Sequence, residues 1–245
     1  MKVSILIPTF NQSPAFLRAA LLSAKHQSHR CEIVIVDDGS NPRQDGVVEE
    51  VLSGYSDDEI QAKYVWQENK GVAGALNRAL EDATGDWIRW LPSDDLYTLD
   101  STLELLHVAQ PDMKVLYSGY DEGIPTAKQQ IPAITFSTRE RQHEMLKKHC
   151  FINAATVMWH KSVFDEIGAF NENIVHAQDY EFLLRCSERY HFHGVPDPFV
   201  RRRIHARQML QTLRTDPAEK EKKDRDMEFL KERYGVTGYV WVPDA

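Results

Sequence analysis

Short apolar runs alternate with stretches of helical period through the first part of the chain. Residues 3–8 (VSILIP), 32–37 (EIVIVD), 63–67 (KYVWQ) and 86–91 (DWIRWL) read as strands. The links between them predict helices, which together give βαβ units and a mainly parallel sheet. In the first link Ser13 is placed to cap, Pro14 takes the favoured first position, and Leu17, Ala20, Leu21 and Ala24 share one face. The second link, RQDGVVEEVLSG, is less regular. The third, GVAGALNRALEDATG, runs from glycine to glycine with Leu76, Ala79, Leu80 and Ala83 on one stripe.

Beyond residue 110 the pattern predicts a strand at KVLYSGY and a helix at STRERQHEMLKKH. A strand at AATVMWH, a short helix at KSVFDEIG and a longer helix at QDYEFLLRCSERY come next. HFHGVPDPFVRRRIH reads as two short strands around a turn. The stretch DPAEKEKKDRDMEFLKERYG reads as a charged helix whose run at 219–226 forms a solvated face, and YVWV at 239–242 as an apolar end that covers the body or a partner.

Composition narrows the classes. With 245 residues, 42% of them hydrophobic, the chain can bury a sizeable core as one α/β domain. A formal net charge of −8 argues against nonspecific binding to nucleic acid or to anionic lipid over the whole surface. Cys31, Cys150 and Cys186 are widely spaced, with no CxxC pair, which reads as reduced thiols in a cytoplasmic protein. The opening MKVSILIPTF lacks the apolar core of a signal peptide, and no stretch approaches a membrane span.

Open sheets of this kind bind ligands beyond the carboxyl ends of their strands. Those ends are residues 8–11, 37–40, 68–71 and 93–95. Phe10 can stack a base, Asp38 can accept from a ring N–H, and Gly39 lets the chain turn sharply. Asp94 and Asp95 repel one another at the end of an apolar strand unless a cation lies beside them. A hard divalent cation shared with a diphosphate answers that need. Each feature has a plainer reading as well: DDG is a good turn sequence, and SDD before LYTLDSTLELL also suits the acidic start of a helix.

The stretches VSILIPTFNQSPAFLRAALLSAKHQSHRCEIVIVDDGS and ENKGVAGALNRALEDATGDWIRWLPSDDLY resemble the nucleotide-binding half of the family 2 glycosyltransferases. The resemblance resumes in NAATVMWHKSVFDEIGAFNENIVHAQDYEFLLR and in RRRIH, so it covers most of the chain up to residue 205. It implies a single Rossmann-like GT-A domain over 1–205, with a nucleotide half (1–110) and an acceptor half (111–205), and then a helical extension at 206–245. The implied activity is inverting transfer of a sugar from a nucleotide-diphosphate donor, most commonly a UDP-sugar, to a hydroxyl of a saccharide or lipid-linked acceptor.

Carried over residue by residue, the resemblance places Pro8, Thr9, Phe10 and Asn11 along base and ribose, Asp38 at the base ring, and Gly71 and Asn77 near the nucleotide. Asp94 matches the aspartate that meets ribose or a metal-bound water, and Asp95 the one that holds Mn2+ or Mg2+. Many members carry a further aspartate where this chain has Pro92, so no ligand comes from there. AQDYEF resembles the family's ED motif with Gln178 for the glutamate and Asp179 kept, which makes Asp179 the general base. His205 matches a histidine that approaches metal or diphosphate. Among Arg201, Arg202 and Arg203, which alternate along a strand and cannot all face one way, Arg203 is assigned to the diphosphate. Trp159 falls near the acceptor cleft, although a strand tryptophan is first of all core.

Two rival readings are a sugar-1-phosphate nucleotidyltransferase, which would open on a glycine-rich basic loop that IPTFNQSP lacks, and a catalytically silent nucleotide-sugar binding module. A homodimer contact and a peripheral contact at the inner membrane face are both open for the tail.

Overall fold

The computed structural model describes residues 1–53, 61–124, 127–205 and 216–238. Its strands are β1 (Val3–Thr9), β2 (Glu32–Asp37), β3 (Ala62–Trp66), β4 (Trp87–Trp90), β5 (Leu96–Tyr97), β6 (Val115–Ile124), β7 (Ala127–Ile131), β8 (Val157–His160) and β9 (Phe192–Arg203). The helices are α1 (Pro14–Lys25), α2 (Asp45–Leu52), α3 (Gly71–Asp82), α4 (Ser101–Val108), α5 (Arg139–Lys148), α6 (Ser162–Ile167), α7 (Gln178–Ser187) and α8 (Pro217–Tyr234).

The strands form one sheet in the order β3-β2-β1-β4-β8-β6-β9-β5, with β7 paired to β6. The first four are parallel, as the βαβ pattern requires. From β8 onward the pairing mixes: β8 runs antiparallel to both β4 and β6, while β6 and β9 are parallel. The sheet as a whole is therefore mixed.

Alternate residues of the strands feed two cores. Ile5 and Ile7 of β1 join Leu17, Ala20 and Leu21 of α1 on one face, and Leu6 joins Leu76 and Ala79 of α3 on the other. Trp159 lies in this second core, 1% exposed and packed edge-on to Phe164, Phe170 and Phe182. It is a core residue. The three cysteines are free and buried.

Several expectations change in detail. Ser13 occupies the N-cap position of α1 but its side chain makes no capping bond; its carbonyl accepts from Leu17, and Pro14 has no N–H to satisfy. The stretch read as two strands around a turn is the single strand β9. Its prolines sit where the β6–β9 register shifts, between Ser118 and Tyr120. Gly119 makes the shift sterically feasible, since a Cβ there would lie 2.5 Å from the Pro196 carbonyl oxygen.

Helix α8 begins where the sequence marks it, with Asp216 accepting from Ala218 N–H, Pro217 in the first turn and Gly235 in the left-handed conformation at the end. Its charge run is not simply a solvated face: Asp226 is buried, and Met227, Leu230 and Tyr234 enter the second core. The YVWV segment at 239–242 lies outside the described residues. No helix among those described is long and apolar enough to cross a membrane.

Candidate active site

The strand order places β1 between β2 and β4, where the order of the strands reverses, and open α/β sheets take ligands in a crevice beyond the carboxyl ends of the strands at such a point. Hydrogen bonds stitch the four strand ends into one rim. Asp38 N–H donates to the Thr9 carbonyl at 2.8 Å and Gln67 N–H to that of Asp37 at 3.0 Å. Asn11 N–H donates to Ser40 Oγ at 2.8 Å, and Gln12 Nε2 reaches Ser93 Oγ at 3.3 Å.

Pro8 and Thr9 are the last residues of β1 and both are buried. The β1–β4 ladder ends at Leu6 opposite Trp90, two places before Pro8, so the missing N–H costs that ladder nothing. Phe10 projects beyond the strand at 52% exposure, and Asn11 beside it takes a positive φ of 45°. Asn11 Oδ1 accepts from Asn41 N–H at 2.9 Å.

The two aspartates of the DDG turn divide the work. Asp37 is a lock: its carboxylate accepts from Ser40 N–H, Gln44 N–H and the Tyr64 hydroxyl. Asp38 accepts from Gln67 Nε2 at 2.7 Å and Lys70 N–H at 2.9 Å, both on Oδ1, which fixes it over the start of α3. Gly39 has φ of 88°, and a Cβ there would lie 2.9 Å from Asn69 N. Gly71 opens α3 with φ of 78°. Asn77 faces another way: it donates to the Phe170 carbonyl and Glu172 and accepts from Phe170 N–H, tying α3 to the loop after α6.

The aspartate pair is held in place by the strand on its carboxyl side. Asp94 and Asp95 lead into β5, which pairs antiparallel with β9, Leu96 opposite Arg201. Carrying that register two places on brings Asp94 opposite Arg203. Arg203 N–H donates to Asp95 Oδ1 at 3.0 Å, and its guanidinium bonds to the Asp94 carbonyl and, at 3.1 Å, to the Phe16 carbonyl. That guanidinium lies 4.5 Å over the Phe16 ring. His205 Nε2 lies 3.0 Å from Asp94 Oδ2, and its ring packs 4.6 Å from Phe16.

Beneath the loop, the fully buried Arg89 of β4 lies 3.7 Å over the Tyr97 ring and bonds Ser101 and Thr102. Gln27 accepts from the same two residues. This pins both ends of the 91–100 loop.

Charge at the pair is incompletely balanced. Asp95 is 5% exposed, and burial first, then the Asp94 carboxylate, push its pKa well above the ordinary aspartate value; the Arg203 N–H and the Arg202 and Arg203 charges pull the other way. Arg202 does not share the Arg203 face but pairs with Glu122 on β6, both side chains largely buried. Arg201 is exposed.

Among the described residues no group of three or more His, Cys, Asp or Glu side chains forms a metal cage. Two hard carboxylates do fit a cation such as Mn2+ or Mg2+, which takes the rest of its shell from phosphate and water. His205 would approach it through Asp94.

Asp179 stands apart, in the first turn of α7. One oxygen accepts from Tyr180 N–H at 2.8 Å, and burial raises its pKa. The hydroxyl of Tyr180, next to it, donates to the Leu146 carbonyl, which places α7 against the end of α5. Among the described residues no hydrogen bond or ion pair joins Asp179 to Asp94 or Asp95.

Three contributors escape sequence reasoning. Phe16 reads as one more apolar helix residue. Gln44 is the hub of the rim, accepting from Thr9 Oγ1 at 2.6 Å and donating to the Gln12 carbonyl at 2.7 Å, yet a loop glutamine carries no signal. Glu122 is legible only once β6 and β9 are paired.

The model of glycosyl transferase family 2 matches residues 4–168. An uncharacterised glycosyltransferase of Rickettsia typhi is 27% identical over 86% of this chain and 66% of its own length. One from Rickettsia conorii is 26% identical over 84% of this chain and 34% of its own, and an uncharacterised protein of Sinorhizobium fredii is 32% identical over 76% and 20%. The chain thus spans from a fifth to just under two thirds of these relatives.

Among solved structures, S. aureus TarS 1-349 in complex with UDP-GlcNAc superposes with a TM-score of 0.68 at 18% identity, covering 96% of this chain and 73% of that one. A mannosyltransferase from Pyrobaculum calidifontis in complex with GDP-Man and Mn2+ gives 0.65 at 16%, covering 95% and 70%. At such identities the likeness is one of fold. With the family model matched over most of the chain, the chain belongs to glycosyl transferase family 2, the inverting nucleotide-sugar transferases of GT-A fold.

Proposed function

We propose that this chain transfers a sugar with inversion from a nucleoside-diphosphate donor, a UDP-sugar, to a hydroxyl of a saccharide or lipid-linked acceptor. One observation carries the reading: the β5–β9 register gathers Asp94, Asp95, Arg203 and His205 at the edge of the crevice where β1 ends.

The base stacks on exposed Phe10 and donates a ring N–H to Asp38, while Asn11 flanks the ribose. Asp94 and Asp95 would hold Mn2+ or Mg2+, and such a cation supplies charge neutralisation for the departing diphosphate. Arg203, anchored by its contacts to Phe16 and to the pair, adds fixed positive charge there.

Asp179 takes the proton from the acceptor hydroxyl as its oxygen bonds to the anomeric carbon. The bond from that carbon to the diphosphate oxygen breaks on the opposite face, and its electron pair leaves with the diphosphate. No covalent enzyme intermediate forms. The raised pKa of Asp179 makes its carboxylate a stronger base than an exposed aspartate. Gln178, in place of a glutamate, spares it an adjacent negative charge.

The test is release of nucleoside diphosphate from UDP-glucose, UDP-GlcNAc and GDP-mannose with Mn2+, in wild type and in Asp179→Asn. Slow release from one donor is expected, with water as acceptor, and a drop of about 100-fold or more in the variant. Wild-type release by Asp179→Asn would remove Asp179 as base. Absence of release from every donor, with diphosphate binding retained, favours the silent binding module.

A further inference from the structure

The helix that carries Asp179 has a weak start of its own. Its N-cap residue, Ala177, has no side chain able to satisfy the exposed amides of a first turn, and the segment before it, residues 174–177, is irregular. The fixing group comes from α8, nearly fifty residues on. Asp226 is 5% exposed and its Oδ2 accepts from Val175 N–H at 3.0 Å and His176 N–H at 2.6 Å.

Two more bonds run from the same helix, one to this segment and one to α7 itself. Glu219 Oε2 lies 2.8 Å from His176 Nε2, and the Tyr234 hydroxyl donates to Glu181 Oε1 at 2.7 Å. Glu181 in turn holds Arg185, whose guanidinium donates to the Ala169 carbonyl. Met227, Leu230 and Tyr234 pack in one core with Tyr180, Leu183 and Leu184.

A helix that merely covered apolar surface would need no buried carboxylate, which is costly to desolvate unless its bonds are satisfied. Here that carboxylate is spent on two consecutive amides immediately ahead of α7, where the helix dipole also favours negative charge. Asp179 lies three residues beyond His176, so a shift of the held amides moves it directly.

We infer that Asp226 is a positioning residue for the general base: through two amide bonds α8 sets the loop that aims Asp179 at the acceptor hydroxyl. This rests on the reading of Asp179 proposed above. Asp226 touches neither donor nor acceptor in this scheme; it fixes geometry, and misplacement by about 1 Å is enough to cost on the order of 100-fold in rate.

The experiment uses the full chain with Asp226→Ala, Asp226→Asn and, as a control that loosens α8 without touching the two amides, Tyr234→Phe. Backbone hydrogen exchange at residues 175–180 is read beside diphosphate release from UDP-glucose, UDP-GlcNAc and GDP-mannose with Mn2+. Asp226→Ala is expected to speed exchange about 10-fold or more and to lower kcat by about 10–100-fold with donor KM within about twofold. Asp226→Asn, which keeps an acceptor oxygen, recovers much of both. Tyr234→Phe stays within about twofold of wild type in kcat.

Wild-type kcat in Asp226→Ala, or an equal loss in Tyr234→Phe, overturns the inference. If none of the three donors turns over, unchanged protection of Val175 and His176 in Asp226→Ala overturns it. Wild-type release by Asp179→Asn is a different failure: it sinks the base assignment while exchange still reports whether Asp226 holds the segment.

Discussion

The backbone N–H of Arg203 donates to Asp95 Oδ1 at 3.0 Å, joining the last residue of β9 to an acid 108 positions earlier. The bond defines the edge of the crevice and occupies one oxygen of the acid assigned to the cation.

Phe10 offers a clean probe of the base site because it is half exposed and contributes little to the core. Phe10→Ala should weaken nucleoside diphosphate binding by about 1–3 kcal/mol, the worth of a base stacked on an aromatic ring. The thermal midpoint should barely move, and Phe10→Trp should retain affinity. Calorimetric titration and a melting curve on each variant check this.

Gly39 is constrained twice, by φ of 88° and by the Asn69 backbone 2.9 Å from where a Cβ would sit. Gly39→Ala should lower stability by about 1–3 kcal/mol in urea unfolding and displace Asp38 from its bond to Lys70 N–H. Diphosphate affinity should fall with it.

The buried Glu122–Arg202 pair braces β6 against β9 behind the aspartates. Removing Glu122 takes an ion-pair partner from the largely buried Arg202 guanidinium, so Glu122→Ala should lower stability by up to about 3–5 kcal/mol. The double variant Glu122→Leu with Arg202→Met should cost distinctly less. Urea midpoints for Glu122→Ala and for the double variant decide it.

Asp179 gives a pH signature with a definite sign. Burial raises its folded pKa, so the acid is protonated over a wider range than the ordinary aspartate value of about 3.9 allows. Activity should be lost as pH falls through that raised pKa, placing the acid limb of kcat above the usual aspartate range. For stability the sign is opposite: the folded state holds a proton that the unfolded state has released, so stability is greatest below the unfolded pKa and declines as pH rises through the folded one. Asp179→Asn, which cannot ionise, should therefore gain stability relative to wild type as pH rises from below the ordinary aspartate value of about 3.9 through the raised folded pKa.

The parallel half of the fold is legible because each strand is a short apolar run and each helix keeps its stripe, as Leu17, Ala20, Leu21 and Ala24 do. Acids at strand ends are equally legible, since adjacent charges such as Asp94 and Asp95 stand out against a buried strand. The partners of those acids carry no mark in the hydrophobic pattern, and Arg203 and His205 are named beforehand only through the family resemblance. Arg203 and His205 reach them only through a two-residue strand that no periodicity can mark, and β9 is hidden by prolines that Gly119 accommodates from across the sheet. Asp226 sits in a run of alternating charge whose solvated and buried members look alike until α7 is packed against it.

The most direct measurement on metal-assisted transfer is calorimetric titration of UDP and GDP, each with and without Mn2+, into wild type and Asp95→Ala. One diphosphate is expected to bind tightly only with Mn2+, and the variant to lose this dependence. Binding indifferent to both the metal and the substitution would make the aspartate pair a strand-end turn, and the metal-assisted transfer proposed here would fall with it.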